Sequence, residues 1–189
     1  MPETSGHTDS PGPIKRVSTL LERLPVVARY AFYTLFFLTF LLVLLPWLAY
    51  RIDVHVARLH VEAGWIVRGA GILMFVPFLA AYVASSHLLT SRGHGGHVEF
   101  DPPREFVAVG VYRWVRNPIA GSAVSMLFAE ALAFSSTGIF FLFIVAALVA
   151  HLQVTLLEEP LLRKRFGNSY IDYLARVPRW VTRRPRGTG

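Results

Sequence analysis

The chain has 189 residues and a formal net charge of +7, a length that suits a single domain. Apolar residues make up 53% of it, and they are gathered in blocks from which charged residues are nearly excluded, as in a small membrane protein. Cysteine is absent, which excludes disulfides, thiolate metal sites and a cysteine nucleophile. The composition therefore predicts an integral membrane protein and leaves the redox compartment open.

The N-terminal segment, residues 1–27, is predicted to be disordered and basic, because its beginning is rich in Ser, Thr, Pro and Gly. The first apolar run follows at about residues 30–50 and contains no charged residue. It is too long for a signal peptide, and no small-residue cleavage pattern follows it, so we expect a retained transmembrane helix. About 20 residues at roughly 1.5 Å each cross the roughly 30 Å hydrocarbon layer.

A second span is predicted at about residues 65–89, with Arg68 near its start and Pro77 in its middle. Two interpretations of Arg68 are open. Its side chain reaches the near interface, or it pairs with Glu130 inside the membrane.

Residues 91–117 are polar and rich in Gly and Pro, so we expect a loop built from turns. The apolar run 118–157 contains one charged residue, Glu130. As a single helix it would be roughly 60 Å long, about twice the hydrocarbon thickness. We therefore predict two antiparallel helices, at about 118–135 and 138–157, joined by the Ser-Ser-Thr-Gly turn between them.

Apolar and charged residues alternate at helical spacing over residues 160–177, which predicts an amphipathic helix on the membrane face, weakened at Gly167. A basic tail, residues 182–189, follows. The predicted fold is an all-α integral membrane protein with four transmembrane helices and a C-terminal amphipathic interfacial helix, all in one domain, residues 28–181.

Four spans place both termini and the loop 91–117 on one side of the membrane, and that side holds 16 of the 19 Lys and Arg residues. The positive-inside rule makes this side cytoplasmic and favours a multi-pass protein of the cell inner membrane, with membrane lipids as partners. Topology accounts for the positive charge, so nucleic-acid binding is not predicted. Separately, no metal site is predicted.

Charged residues precede the third apolar helix at the predicted cytoplasmic surface. Arg113 and Arg116 lie just before Asn117 and Pro118, and a proline suits the first turn of a helix. Guanidinium groups at a helix N-terminus suit a carboxylate or a phosphate. The alternative is that both arginines only anchor the chain to lipid phosphates.

A pair of glutamates, Glu158 and Glu159, directly follows the last apolar run in an otherwise basic segment. The spacing of His151, Thr155 and the two glutamates predicts one helical face and a polar stripe that leads into the bilayer. We expect the pair to receive a cation, such as an ammonium or sulfonium group. The alternative is ion pairing with basic residues of the same helix.

Glu130 lies about 12 residues into the predicted third helix, roughly 18 Å from its cytoplasmic end. An intramembrane carboxylate is costly enough to expect a partner, and we favour Arg68 in that role. Gly121, Ser122 and Ser125 give the same helix a small face, which predicts close helix packing.

The order of these motifs resembles the isoprenylcysteine carboxyl methyltransferase and phospholipid methyltransferase superfamily. The resemblance runs from Phe106-Val107 through Gly110–Pro118, two apolar helices and Glu158-Glu159-Pro160 to Trp180, and covers about residues 93–181. Proteins of this superfamily are integral membrane enzymes that use S-adenosylmethionine. In this chain Ile119-Ala120 follows Asn117-Pro118 where Met-Tyr is usual, which removes a tyrosine hydroxyl.

The resemblance implies a cytoplasm-facing S-adenosylmethionine pocket. In it, Phe106 and Val107 would flank the nucleoside, and Glu158 or Glu159 would meet the amino group. The full set of cofactor-binding residues that it implies is Gly93, Gly95, Phe106, Val107, Tyr112, Arg116, Asn117, Pro118, Glu158, Glu159, Tyr170 and Tyr173.

Methyl transfer from a sulfonium requires alignment and exclusion of water, without a metal. A carboxylate acceptor needs no base, and Arg113 would orient it. An amine acceptor needs one, and Glu158, Glu159 or His151 is available. The acceptor, an apolar small molecule or a lipid with a reacting carboxylate, amine or hydroxyl, stays open.

Two other functions are open. Membrane sterol reductases have a similar C-terminal layout but use NADPH, and they are usually much longer. A non-catalytic lipid-binding protein would keep the fold without turnover, and it predicts that Glu158→Ala leaves function intact.

Overall fold

The computed structural model describes residues 25–55, 62–93 and 104–181, and every regular element in these ranges is helical. The predicted disordered segment lies almost wholly outside them, as do Gly95 and the basic tail. The helices are α1 (Val26–Thr39), α2 (Leu45–His55), α3 (Trp65–Gly93), α4 (Pro118–Phe134), α5 (Thr137–Gln153), α6 (Glu159–Phe166) and α7 (Asn168–Arg176). The π-helical turns Phe40–Leu44 and Val154–Glu158 join α1 to α2 and α5 to α6, and a 3₁₀ turn, Gly110–Arg113, precedes α4.

Three helical stretches are long and apolar enough to cross a bilayer: Thr34–His55, Trp65–Gly93 and Thr137–Phe166. Their apolar side chains are largely exposed, as lipid-facing side chains should be; Leu73 and Val145 keep 76% and 57% of their surface accessible. The prediction of an all-helical integral membrane protein is confirmed. Helix α4 is apolar but has only 17 residues, so the count of four spans stays a prediction.

Each π-helical turn ends two residues before a proline, Pro46 in α2 and Pro160 in α6. A proline lacks the N–H that an α-helix needs, and its ring displaces the carbonyl four residues earlier. The Leu45 N–H bonds to the carbonyl of Phe40 in the first turn, and the Glu159 N–H bonds likewise to Val154 in the second. These wider turns carry one extra residue each, and both helices continue past their proline.

Gly71 sets the distance between α3 and α4. A Cβ atom at this position would lie 2.5 Å from the backbone nitrogen of Ala133 and 2.6 Å from the carbonyl oxygen of Ala129. Both atoms belong to the α4 backbone, so any side chain larger than hydrogen would force the helices apart. The two helices share a buried core that includes Tyr82 and Met126.

The predicted turn joins α4 to α5. Ser135 has a left-handed φ of 52°, and the Ser136 hydroxyl caps α5 by accepting a hydrogen bond from the Ile139 N–H at 3.2 Å. The same hydroxyl donates to Asp53 Oδ2 at 2.8 Å, which ties the end of α2 to the start of α5. The prediction of two helices in place of a single long one is confirmed.

The predicted C-terminal helix, residues 160–177, is divided in the structure. Its first part belongs to α6, which continues from α5 through the π-helical turn, and Gly167 with a φ of 55° ends it. Helix α7 then presents Tyr170 and Tyr173 on its buried side. The separate amphipathic helix is therefore shorter than predicted, because the preceding helix extends through Pro160 instead of stopping there.

Candidate active site

The Gly110–Pro118 stretch forms a compact turn beside α3. Gly110 has a φ of 59°, a conformation that glycine adopts without strain, and the 3₁₀ turn begins at this residue. Tyr112 is buried, and its hydroxyl donates to the Ser85 carbonyl of α3 at 3.4 Å. Pro118 lies in the first turn of α4, as predicted. The turn is thus fixed against the helix that precedes it and leads directly into the next.

A short C-terminal strap, residues 177–180, lies against this turn. The Arg116 N–H donates to the Pro178 carbonyl at 2.9 Å. The Asn117 side-chain Nδ2 donates to the Arg179 carbonyl at 3.3 Å. These bonds bring together two segments that are distant in the sequence, so the strap and the turn act as one structural unit.

Glu159 forms ion pairs with both segments of this unit. Its side chain is only 6% exposed, and Oε1 accepts a hydrogen bond from Arg116 Nη1 at 3.0 Å. Arg179 approaches as a fork, with Nε 2.7 Å from Oε1 and Nη2 2.9 Å from Oε2. Paired contacts of this kind fix geometry as well as charge. Two arginines of the protein therefore already neutralise this carboxylate.

Glu158 and Glu159 do not share one face of the helix. Glu158 is exposed, whereas Glu159 is buried. The Thr155 hydroxyl donates back to the His151 carbonyl of its own helix at 2.7 Å. The prediction that both glutamates continue one polar stripe from His151 is therefore wrong. The predicted spacing assumed a regular α-helix, and the π-helical turn Val154–Glu158 changes the register, so that Glu159 and not Glu158 joins His151 on the side that faces the strap.

A cavity of about 580 Å³ lies between α3, α4, α5 and the turn. Its wall is mainly apolar, and at Gly121 a Cβ atom would meet only Trp180, at 4.0 Å. The small face of α4 thus makes room for a cavity, although it was predicted to serve close helix packing. The small residues in the wall are Ala81, Ser85, Gly121, Ser122, Ser125, Ala147 and Ala150.

Three of the predicted site residues, Asn117, Pro118 and His151, line this cavity. Arg113, predicted to orient an acceptor, is exposed on the turn and does not line it. Arg116 lies between two lining residues without itself being one. The other predicted residues in the described ranges are also outside the wall: Gly93, Phe106, Val107, Tyr112, Glu158, Glu159, Tyr170 and Tyr173.

Phe106, Tyr170 and Tyr173 belong to an aromatic cluster. The two tyrosine rings stand edge-on to Phe106, with centroid separations of 5.8 and 5.2 Å. The Tyr173 hydroxyl donates to the Tyr112 carbonyl at 2.6 Å. This cluster therefore clamps the turn through α7, and it stabilises the cavity wall from behind.

Burial raises the pKa of the three tyrosines around the turn. The pKa of Tyr170 is raised to about 12, first by burial and then by the charge of Glu159. Burial also raises the pKa of Tyr112, with the charge of Glu158 as the next cause, and raises the pKa of Tyr173. The phenols stay neutral near pH 7, so their hydrogen bonds are kept. Glu158, although exposed, is near enough to act on Tyr112.

His151 meets the strap at the cavity wall. Trp180 Nε1 donates to His151 Nδ1 at 3.2 Å, and the two ring centroids are 6.2 Å apart. Both side chains line the cavity.

The predicted pair of Arg68 and Glu130 is not formed. Arg68 is exposed, whereas Glu130 is 7% exposed and its Oε2 has no hydrogen-bond partner. Helix rotation, which sequence spacing does not determine, places the two side chains apart. The exposure of Arg68 agrees with the alternative in which its side chain reaches the interface.

A family model for phospholipid methyltransferases matches residues 67–169. The match covers more than half of the chain and includes every residue of the cavity wall except Trp180. The chain belongs to the phospholipid methyltransferase family. Comparisons with curated proteins and with solved structures found no match.

Membership in the phospholipid methyltransferase family points to a membrane methyltransferase, and enzymes of this family generally use S-adenosylmethionine. Within the described part of the chain, no group of three or more His, Asp or Glu side chains is placed to hold a metal ion.

Some residues that line or support the cavity of this phospholipid methyltransferase family member were not predicted as site residues. Arg179 and Trp180 had a sequence signal, because they end the motif order that carries the resemblance. Phe78 and Ser85 had none, because they lie in an apolar span whose rotation about its axis decides which side chains face the cavity.

Proposed function

We propose that the protein transfers a methyl group from S-adenosylmethionine to an apolar or lipid-like acceptor at the cytoplasmic face of the membrane. The observation that carries the proposal is the cavity of about 580 Å³ between α3, α4 and α5, within the region that the family model matches. Its volume lies in the range of about 300–1,000 Å³ that small-molecule sites occupy.

The residues around the cavity fit this cofactor. Arg116 Nε is buried and has no hydrogen-bond partner, although Arg116 stands between the wall residues Val115 and Asn117. A buried unpaired guanidinium N–H suits a carboxylate, which S-adenosylmethionine carries. Glu158 is exposed beside the turn, and we assign it to the cofactor's ammonium group.

S-adenosylmethionine, when bound, supplies a methyl carbon on a sulfonium sulfur for in-line transfer to a nucleophile. The protein has to hold both reactants in line and keep water out. Asn117 and Pro118 form the wall at the start of α4, and Trp180 covers it from the strap. In this arrangement Tyr112, Tyr173, Arg116 and Glu159 position the wall.

In this proposal the aromatic residues have a different role from the one that the resemblance implied. Phe106 packs against Tyr170 and Tyr173 and lies outside the wall, so we assign it to supporting the turn, not to the nucleoside. The apolar wall is left for the cofactor and the acceptor's reacting end.

Calorimetric titration of the detergent-solubilised full chain with S-adenosylmethionine tests the proposal. Gly121→Leu places a side chain in the cavity, whereas Gly69→Leu, at a position with no atom within 4 Å, is the matched control. We expect binding by the wild type and by Gly69→Leu, and loss of binding in Gly121→Leu.

NADPH is titrated in parallel. Binding of NADPH in place of S-adenosylmethionine would favour a membrane reductase. If protein that elutes as a folded species binds neither S-adenosylmethionine nor NADPH, the result would contradict the methyltransferase proposal and favour a non-catalytic lipid-binding role.

A further inference from the structure

Among the described residues that line the cavity, His151 is the single imidazole, and none of the others is an Asp, Glu, Lys, Arg or Tyr. The other polar side chains of the wall are Asn117, the two tryptophans Trp114 and Trp180, and three serines, which remain uncharged. A general base that touches an acceptor in this cavity would therefore have to be His151.

Trp180 decides which nitrogen of His151 carries the proton. The indole Nε1–H is a donor only, and it donates to His151 Nδ1 at 3.2 Å. Nδ1 is therefore bare, and the neutral imidazole carries its proton on Nε2. None of the described residues accepts a hydrogen bond from that Nε2–H.

The strap keeps Trp180 in this position. The residue before it, Arg179, is held by its fork on Glu159 and by the bond from Asn117 to its carbonyl. The indole is thus attached to a backbone fixed at both the turn and α6, and the hydrogen bond to His151 is preorganised.

We propose that Trp180 is a positioning residue that makes His151 a hydrogen-bond donor toward the methyl acceptor. The proposal rests on the proposed methyl transfer. With Nδ1 engaged and Nε2 protonated, His151 has no lone pair to remove a proton from an ammonium or hydroxyl group. The acceptor that fits is one whose reacting atom carries no proton at neutral pH, and an oxyanion is the simplest such group.

The reaction then balances without a base. A lone pair of the acceptor oxygen forms the new O–C bond while the C–S bond breaks, and its electron pair stays on sulfur. The oxygen loses its negative charge, the sulfur loses its positive charge, and no proton moves. The Nε2–H of His151 holds the acceptor group in line by donating to it.

The first test compares two substitutions of His151. Glutamine keeps an amide N–H near the place of Nε2–H but cannot take up a proton, whereas alanine removes both. Membranes that contain the full chain are supplied with methyl-labelled S-adenosylmethionine, and label is counted in the lipid extract. We expect His151→Gln to stay within about tenfold of the wild type and His151→Ala to lose more. A loss of about 10²–10⁴-fold in His151→Gln, as for a missing general base, would overturn the proposal.

The second test reads the tautomer without any turnover. The full chain is labelled with ¹⁵N-histidine, and the spectrum of His151→Gln identifies the His151 signals. We expect a bare Nδ1 and a protonated Nε2 in the wild type, and a mixture in Trp180→Phe, which keeps an aromatic ring but lacks the N–H. A protonated Nδ1 in the wild type, or no change in Trp180→Phe, would overturn the positioning role.

The chemistry of the labelled product decides the acceptor class. Alkali releases labelled methanol from a methyl ester and leaves an N-methyl group intact. We expect alkali-labile label, and an N-methylated product would exclude the oxyanion assignment. If the wild type incorporates no label, the proposed function fails together with the acceptor class, while the spectra still decide the tautomer.

Discussion

Arg179 and Glu159 are joined by two parallel hydrogen bonds, Nε to Oε1 at 2.7 Å and Nη2 to Oε2 at 2.9 Å. The pair fastens the strap to the end of the last long helix. Trp180, the next residue, is thereby held over the cavity. This contact explains why a segment beyond the matched family region takes part in the site.

Glu159→Gln is expected to lower the unfolding temperature much more than Glu158→Gln. The first change leaves two guanidinium groups beside a neutral amide. Because the Arg179 side chain is 30% exposed, we expect a cost of about 1.5–3 kcal/mol, that of a hydrogen bond to a charged group. The second affects an exposed side chain, for which about 0.5 kcal/mol is typical. Thermal unfolding of both variants in detergent measures the difference. Equal midpoints would contradict the role given to Glu159.

Tyr173→Phe is expected to destabilise the turn, whereas Tyr170→Phe is the mild control. The Tyr173 hydroxyl bonds to the buried Tyr112 carbonyl, and leaving such a group unpaired costs about 1–3 kcal/mol. Hydrogen exchange at residues 110–117 reports local opening directly. Faster exchange there in Tyr173→Phe alone is the expected result, and similar exchange in both variants would refute the clamp.

Stability is expected to fall as the pH rises above about 10, the pKa of an unfolded tyrosine. Burial raises the pKa of Tyr170 to about 12 in the folded protein. Above pH 10 the folded state therefore binds more protons than the unfolded state. The contribution of Tyr170 to the free energy of unfolding is complete below pH 10 and is lost as the pH rises through about 12. Unfolding midpoints between pH 8 and 11 measure this decline. Tyr170→Phe should decline less than the wild type; an identical slope would argue against the raised pKa.

Gly71→Ala is expected to weaken the contact between α3 and α4, while Gly69→Ala is tolerated. The new Cβ at Gly71 would lie 2.5 Å from a backbone nitrogen of α4, and backbone cannot yield as a flexible side chain does. At Gly69 no atom lies within 4 Å. The yield of monodisperse protein and its unfolding temperature in detergent check the pair. If Gly71→Ala matches Gly69→Ala in both, the helices are not held by this glycine.

Features that depend on neighbouring residues could be predicted from the sequence. The apolar runs indicated membrane helices, and the Ser-Ser-Thr-Gly segment indicated the turn at Ser135 because nothing else in a long apolar run favours a break. Pro118 indicated the start of α4 because a proline suits the first helical turn. Each of these follows from local backbone chemistry.

Features that depend on helix rotation could not be predicted. Arg68 and Glu130 were assigned to each other by depth, but depth does not determine which way a side chain faces. The cavity likewise arises from small residues on three helices, α3, α4 and α5, that face one another, and no single helix reveals this alone. Glu159 was predicted to receive a cation such as an ammonium or sulfonium group, or to pair with basic residues of its own helix, but it pairs with Arg116 of the turn and Arg179 of the strap. Its partner Arg179 required knowledge of the path of the strap.

In the last long helix, the π-helical turn Val154–Glu158 adds one residue without adding a turn of the helix. With its extra residue removed, a regular α-helix would bring the same carboxylate to the same place. Glu159 would then follow His151 by two ordinary turns. Deleting one residue elsewhere in α5 would instead rotate everything beyond it by about 100°. This turn is therefore the point at which related chains can differ in length by one residue and still superimpose, and an alignment gap is best placed there.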